Sequence, residues 1–360
     1  MTTRQPRTNP RPRAVPGRPG PTWRRWPVAT LALASAAVLA STAATATSAT
    51  AAPARAGHAG APINLSQVTL EIGDQAGTGA ESLLKAAGLL DKLPFKAKWA
   101  DFPSGPPMLQ AEASGSVDIG GVGDAPPVFA ASGGAKIAVV EALKADPDAA
   151  ALIVAKGSHI TSVSQLKGKT IAVAQGSSAD YHLLKVLTEA GLTVHQVTLD
   201  YLQPAEGLAA LTSGKVDAWD VWSPFIEEVV VQDGARVLVN GAPLGPTYSF
   251  VVASRSALSN PAKTAAIRAY LTDLNKAYAW EKTHLTAWAA TWAAATGLPG
   301  SVMHLATKDD ISVPVPISSA VLGSEQGVAN AFFSAGLIPS KVDFQDFAYT
   351  GFNSLFTPAS

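Results

Sequence analysis

The feature that most constrains this chain is an internal repeat. Strand-like Val68-Thr69-Leu70-Glu71-Ile72 runs into Gln75-Ala76-Gly77-Thr78-Gly79, and strand-like Thr170-Ile171-Ala172-Val173 runs into Gln175-Gly176-Ser177-Ser178. The two glutamines stand 100 residues apart. Each turn opens a helical stretch that ends in the same tripeptide, Ala87-Gly88-Leu89 and Ala190-Gly191-Leu192, with glycine as the stop. A second strand and a proline-bearing loop follow in each copy, Phe102-Pro103-Ser104 and Leu202-Gln203-Pro204. The pattern closes with Ser114-Gly115-Ser116-Val117-Asp118 and Ser213-Gly214-Lys215-Val216-Asp217, 99 residues apart. Strand, helix, strand, helix, strand in both copies predicts two doubly wound α/β units.

The repeat has a functional implication. Ligands of open α/β sheets bind beyond the carboxyl ends of the strands, beside helix N-termini. Two such units face to face would line one cleft with the turns at 75–79 and 175–178. Unpaired N–H groups and the positive end of a helix dipole suit an anionic group there. The same residue types also fit plain helix capping. Thr78 with Glu81, and Ser177 with Asp180, have capping-box spacing. Taken alone, the turns leave both roles open.

Composition removes several other classes of function. Lys and Arg number 27 against 27 Asp and Glu, so the basic excess that a nucleic-acid partner needs is missing. A hydrophobic content of 47% supports a folded core. With no cysteine there is no disulfide, thiolate catalysis, Cys-ligated zinc or cysteine-linked lipid anchor. The six histidines are scattered, with no i, i+4 pair for a metal. Gln175-Gly176-Ser177-Ser178-Ala179 departs from the G-x-S-x-G nucleophile elbow, and no Walker motif occurs. The expectation is a binding protein without catalysis, metal or cofactor.

The first 51 residues read as an export signal: Arg24-Arg25, an apolar stretch at 28–39, and a small-residue cleavage site at Ala49-Thr50-Ala51. A flexible segment at 52–65 is expected next. The protein is therefore expected to be exported, soluble in the periplasm or outside the cell, and to dock at a membrane without spanning it. Helices are predicted at 262–280, 283–296 and 321–335. Trp280, Trp288 and Trp292 share one helical face and read as core.

Several stretches carry a family resemblance. They include Phe102-Pro103-Ser104-Gly105-Pro106-Pro107, Val122-Gly123-Asp124-Ala125-Pro126-Pro127, Gly176-Ser177-Ser178-Ala179, Val216-Asp217-Ala218-Trp219 and Trp222-Ser223-Pro224-Phe225. The ordered set resembles the aliphatic-sulfonate, nitrate and taurine group of periplasmic ABC-transporter substrate-binding proteins, and most closely its sulfonate branch. The resemblance implies a type II periplasmic-binding-protein fold of two α/β lobes around a central cleft. Lobe 1 would comprise 66–155 and 250–345, and lobe 2 would comprise 158–247, with crossovers near 155–158 and 248–253 and a C-terminal tail at 346–360.

The resemblance also implies ligand contacts at Gln75, Gly77, Thr78, Gly79, Ser104, Asp124, Ser177, Ser178, Trp222 and Tyr248. Backbone and hydroxyl donors of Ser177-Ser178 would hold sulfonate oxygens, and Trp222 would cover the organic part. The implied partners are a small organic anion and a membrane permease with its ATPase subunits, and the implied mechanism is hinge closure. Taurine, nitrate, bicarbonate and a thiamine-precursor pyrimidine are alternative cargoes. The sequence departs from the relatives at Asp74, Ala76, Asp180, Asp220 and Ser223, mostly toward acidity. Either Asp180 caps a helix and Asp74 faces solvent, or the ligand carries a cationic or donor group beside its acid.

Overall fold

The computed structural model describes residues 62–75, 79–245, 247–309 and 311–356, all within one unit, Gly60–Ser360. The export signal, most of the 52–65 segment, Gly77 and Thr78 lie outside the described residues.

The first repeat copy folds as read. Strand β1 (Thr69–Gln75) buries Leu70 and Ile72 completely, and α1 (Ala80–Ala86) buries Leu83 and Leu84. Gly88, at φ 67°, stops that helix in the left-handed region. Next come β2 (Lys96–Phe102), α2 (Gly105–Ser114), β3 (Ile119–Val122), α3 (Ala125–Ser132) and β4 (Ile137–Ala145). The second copy begins after β5 (Ala150–Val154). It runs through β6 (Thr170–Val173), α4 (Ser178–Glu189), β7 (Thr198–Tyr201), α5 (Pro204–Thr212), β8 (Ala218–Trp222), α6 (Phe225–Asp233) and β9 (Arg236–Asn240). The chain then returns through β10 (Thr247–Ser254) to α7 (Arg255–Leu258), α8 (Pro261–Glu281), α9 (Leu285–Thr296), α10 (Gly300–Asp309), β11 (Val313–Val315) and α11 (Ser319–Ser334).

The strands form two sheets of matching plan. The first has the order β11-β4-β10-β3-β1-β2 and the second β7-β6-β8-β5-β9. In each, a central strand pairs in parallel with its two repeat neighbours, β1 with β2 and β3, and β6 with β7 and β8. An antiparallel strand from the opposite end of the crossover then inserts beside each set, β10 against β3 and β5 against β8. The repeated aspartates do the same work in both sheets. Asp118 Oδ2 accepts from the Glu71 N–H at 3.0 Å, and Asp217 Oδ2 accepts from the Thr170 N–H at 2.9 Å.

The passages between sheets differ from expectation. The chain leaves the first sheet after Ala145, enters the second at Ala150, and returns between Asn240 and Thr247. The apolar run of β5 suits either sheet, so its composition did not reveal which one it joins. Residues beyond 345 also pack down. Phe352 is fully buried beneath the Arg268 guanidinium, and the Tyr349 N–H donates to the Val139 carbonyl at 2.9 Å.

Trp288 and Trp292 are buried and stacked with their centroids 5.0 Å apart, as the core reading expects, while Trp280 stacks on His284. One apolar cluster runs through both sheets by way of Val128, Ile171, Leu183 and Phe332. Each such large buried side chain contributes roughly 1.5–3 kcal/mol.

Candidate functional site

A cavity of about 280 Å³ lies between the two sheets. The carboxyl end of β1 and the loop after β3 supply Gln75, Gly123 and Asp124 from one side. The first turn of α4 and the end of β8 supply Ser177, Ser178 and Trp222 from the other. Tyr248, on the returning strand β10, completes the wall.

Gln75, Asp124, Ser177, Ser178, Trp222 and Tyr248 are thus brought to one cavity. Gly79 instead sits buried at the start of α1, next to Ala80 and Asp74 of the cavity wall but not itself part of that wall. Ser104, beside the wall residue Gly105, is fully buried and not itself part of the wall, and its hydroxyl donates to Gln203 Oε1 at 2.8 Å. Those two residues come from corresponding loops of the repeat, so this bond joins the two units. Gln175, the repeat partner of Gln75, is exposed.

Elsewhere the units touch closely enough to demand glycine. A Cβ on Gly123 would lie 1.6 Å from Ser178 Oγ, and one on Gly176, at φ 70°, would lie 2.8 Å from the Phe129 ring. This is a closed arrangement.

The acidic departures have specific occupations. Asp74 does not face solvent. It is 8% exposed, and its carboxylate accepts from the N–H groups of Gln75, Ala80 and Glu81 at 3.0–3.1 Å. It therefore satisfies the start of α1, whose N-cap, Gly79, has no side chain to do so. Burial raises its pKa to about 6 against those hydrogen bonds.

Ser177 and Asp180 do cap α4. Ser177 Oγ accepts from the Asp180 N–H at 3.3 Å, and Asp180 Oδ2 accepts from the Gly176 N–H at 2.9 Å. The Ser177 hydroxyl donates to the Ala174 carbonyl at 2.7 Å, so it is not a donor to a ligand as expected. The Ser178 hydroxyl bonds the Asp124 carboxylate, which leaves the α4 backbone for that part. Ser223, another departure, donates its hydroxyl to Glu227 Oε1 at 3.0 Å.

Asp220 is fully buried and bonds His182 Nδ1 at 2.8 and 3.0 Å. Burial pushes the imidazole down, but the charge and hydrogen bond of Asp220, with a hydrogen bond to the Asn240 backbone and the Asp124 charge, together outweigh it and hold the ring above its ordinary value. His182 lines the cavity, as do Tyr181 and Lys185. The sequence reading missed this set, although Ser178, Tyr181, His182 and Lys185 recur at helical spacing on α4, a signal that was available. Glu325 of α11 also reaches the wall, 1% exposed, with Oε1 lacking a hydrogen-bond partner. No local pattern marks it. Among the described residues, no cluster of three or more His, Cys, Asp or Glu side chains could hold a metal ion, and no helix is long and apolar enough to cross a membrane.

Two α/β units joined by paired crossovers, with one cavity between them, define a two-lobed solute-binding protein of the type II fold. The family described as ABC transporter, phosphonate, periplasmic substrate-binding protein matches residues 103–296, and the chain belongs to it. The alkanesulfonate-binding protein SsuA from Xanthomonas axonopodis pv. citri, solved bound to MOPS, is 33% identical with a TM-score of 0.73, covering 78% of this chain and 98% of that one. The periplasmic aliphatic sulphonate binding protein SsuA from Escherichia coli is 34% identical with a TM-score of 0.69, covering 78% and 92%. An Escherichia coli (strain K12) relative, named provisionally as an aliphatic sulfonates-binding protein, is 35% identical over 78% of this chain and 88% of its own length.

Proposed function

We propose that this protein is the extracytoplasmic solute-binding subunit of an ABC importer and captures an aliphatic sulfonate between its lobes. The carrying observation is a cavity walled by both repeat units, with the first turn of the 12-residue helix α4 on one side. Relatives named for sulfonate binding supply the ligand class. Amides of the first helical turn lack intrahelical partners and sit at the positive dipole end. They, with Gln75, would hold the sulfonate oxygens, while Trp222 and Tyr248 cover the organic part. Asp124 orders the wall between them.

The two units act as lobes that open to admit solute and close over it, hinged at the passages near 146–149 and 241–245. The closed form would then dock on a permease, whose ATPase subunits drive transport. The protein performs no chemistry on its cargo and works outside the cytoplasm. Thermal unfolding in the presence of alkanesulfonates, nitrate and pyrimidines tests the reading. A sulfonate at about a hundred times its Kd should stabilise the fold by about 2.7 kcal/mol. Stabilisation by nitrate or a pyrimidine alone, or turnover of the ligand, would overturn it.

A further inference from the structure

We propose that Ser104 and Gln203 form a latch between the lobes, which sets how fast solute leaves although neither residue touches it. This rests on capture by lobe closure and assigns residues that hold the closed form. Both stand at the N-cap of the second helix of their repeat unit, Ser104 before α2 and Gln203 before α5, 99 residues apart like the paired aspartates. Their side chains meet between the units, the Ser104 hydroxyl donating to Gln203 Oε1 at 2.8 Å. Neither belongs to the cavity wall. Ser104 is fully buried, so water does not compete for the bond.

The sequence frees the serine for this. An N-cap hydroxyl ordinarily accepts from the N–H of the second or third helical residue. Ser177, Ser254 and Ser318 do so at α4, α7 and α11. In α2 those two positions are Pro106 and Pro107, which have no N–H, and Ser104 makes no capping bond. Gln203 is fixed in advance, its N–H donating to Glu206 Oε2 at 3.1 Å and its side chain accepting from the Glu206 N–H. Closure therefore orders little that was mobile at this bond. The strand orders put the bond at the edge remote from the hinges. β2 lies three strands from β10, and β7 three strands from β5, the strands that the two passages enter. That is about 14 Å at ordinary strand spacing. A lobe rotation of about 15° parts the pair by roughly 4 Å and breaks the bond.

Stopped-flow binding of ethanesulfonate to wild type and Ser104→Ala tests this. Loss of one neutral hydrogen bond should speed dissociation about three- to tenfold and leave association within about twofold. The melting temperature of the solute-free protein should not change, because the open form lacks the bond. Gln203→Ala should speed dissociation in the wild type and add nothing further in Ser104→Ala. The chain has no cysteine, so spin labels at Lys96→Cys on β2 and Thr198→Cys on β7 report the gap between those edges. Their short separation should lose population in Ser104→Ala, with and without solute. Unchanged dissociation overturns the latch, as do additive effects of the two substitutions or a lowered melting temperature with unchanged rates. Failure of ethanesulfonate to bind removes the sulfonate reading instead. The label separations without solute then decide the latch, and equal distributions in the two proteins overturn it.

Discussion

At the scale of the residue, this fold shifts the protonation of its buried carboxyl groups and gives Asp74 and Asp180 defined backbone partners. Burial, and then the nearby Asp220 charge, lift Asp180 from 3.8 to about 7, opposed by the Gly176 N–H. A carboxyl raised on folding supports the native state fully below its unfolded pKa and progressively less as pH climbs through the folded value. Asp180→Asn keeps an acceptor for Gly176 and has no charge to bury. Its stability relative to wild type should therefore improve by roughly 1–3 kcal/mol between about pH 4.5 and about pH 8. Urea unfolding at the two pH values checks this, and a difference that does not change with pH would contradict it. The Asp220–His182 pair works differently. Each group answers the other, so both belong to the scaffold that presents the α4 face.

At the scale of the element, the informative case is the start of α1. Gly79 precedes the helix without a capping side chain, and Asp74, five residues earlier at the end of β1, accepts from Ala80 and Glu81 in its place. Strand end and helix start are thereby tied together at the cavity rim. Asp74→Ala leaves buried N–H groups without acceptors and should cost about 2–4 kcal/mol. Asp74→Asn, which retains an acceptor, should cost less than half of that. Denaturant midpoints of the two variants measure the effect, and equal losses would show that packing rather than hydrogen bonding is involved.

At the scale of the whole molecule, closure depends on backbone meeting side chain across the cleft. The Gly123–Ser178 contact leaves no space for a methyl group, because an added Cβ would stand 1.6 Å from Ser178 Oγ. Gly123→Ala should hold the lobes apart and weaken ligand binding at least about tenfold, with little change in stability. Adding Ser178→Gly removes the obstructing hydroxymethyl and should restore most of the domain closure, though not the lost Ser178 hydroxyl. Solution scattering with and without ligand reads closure directly. Compaction of the single variant equal to wild type would count against capture by closure.

The sequence by itself determined the repeated α/β plan, because that plan is written in local signals: strand periodicity, the glycines that stop α1 and α4, and paired aspartates 99 residues apart. It also pointed to the α4 turn and to Gln75, Asp124, Trp222 and Tyr248. Only the tertiary structure decided which sheet receives β5, since a short apolar run suits either. It alone turned Asp74 inward, paired His182 with Asp220 across 38 residues, and brought Glu325 from α11 into the cavity. The physical reason is range. Capping, turns and periodicity act within a few residues, whereas desolvation and charge pairing depend on neighbours supplied by distant parts of the chain.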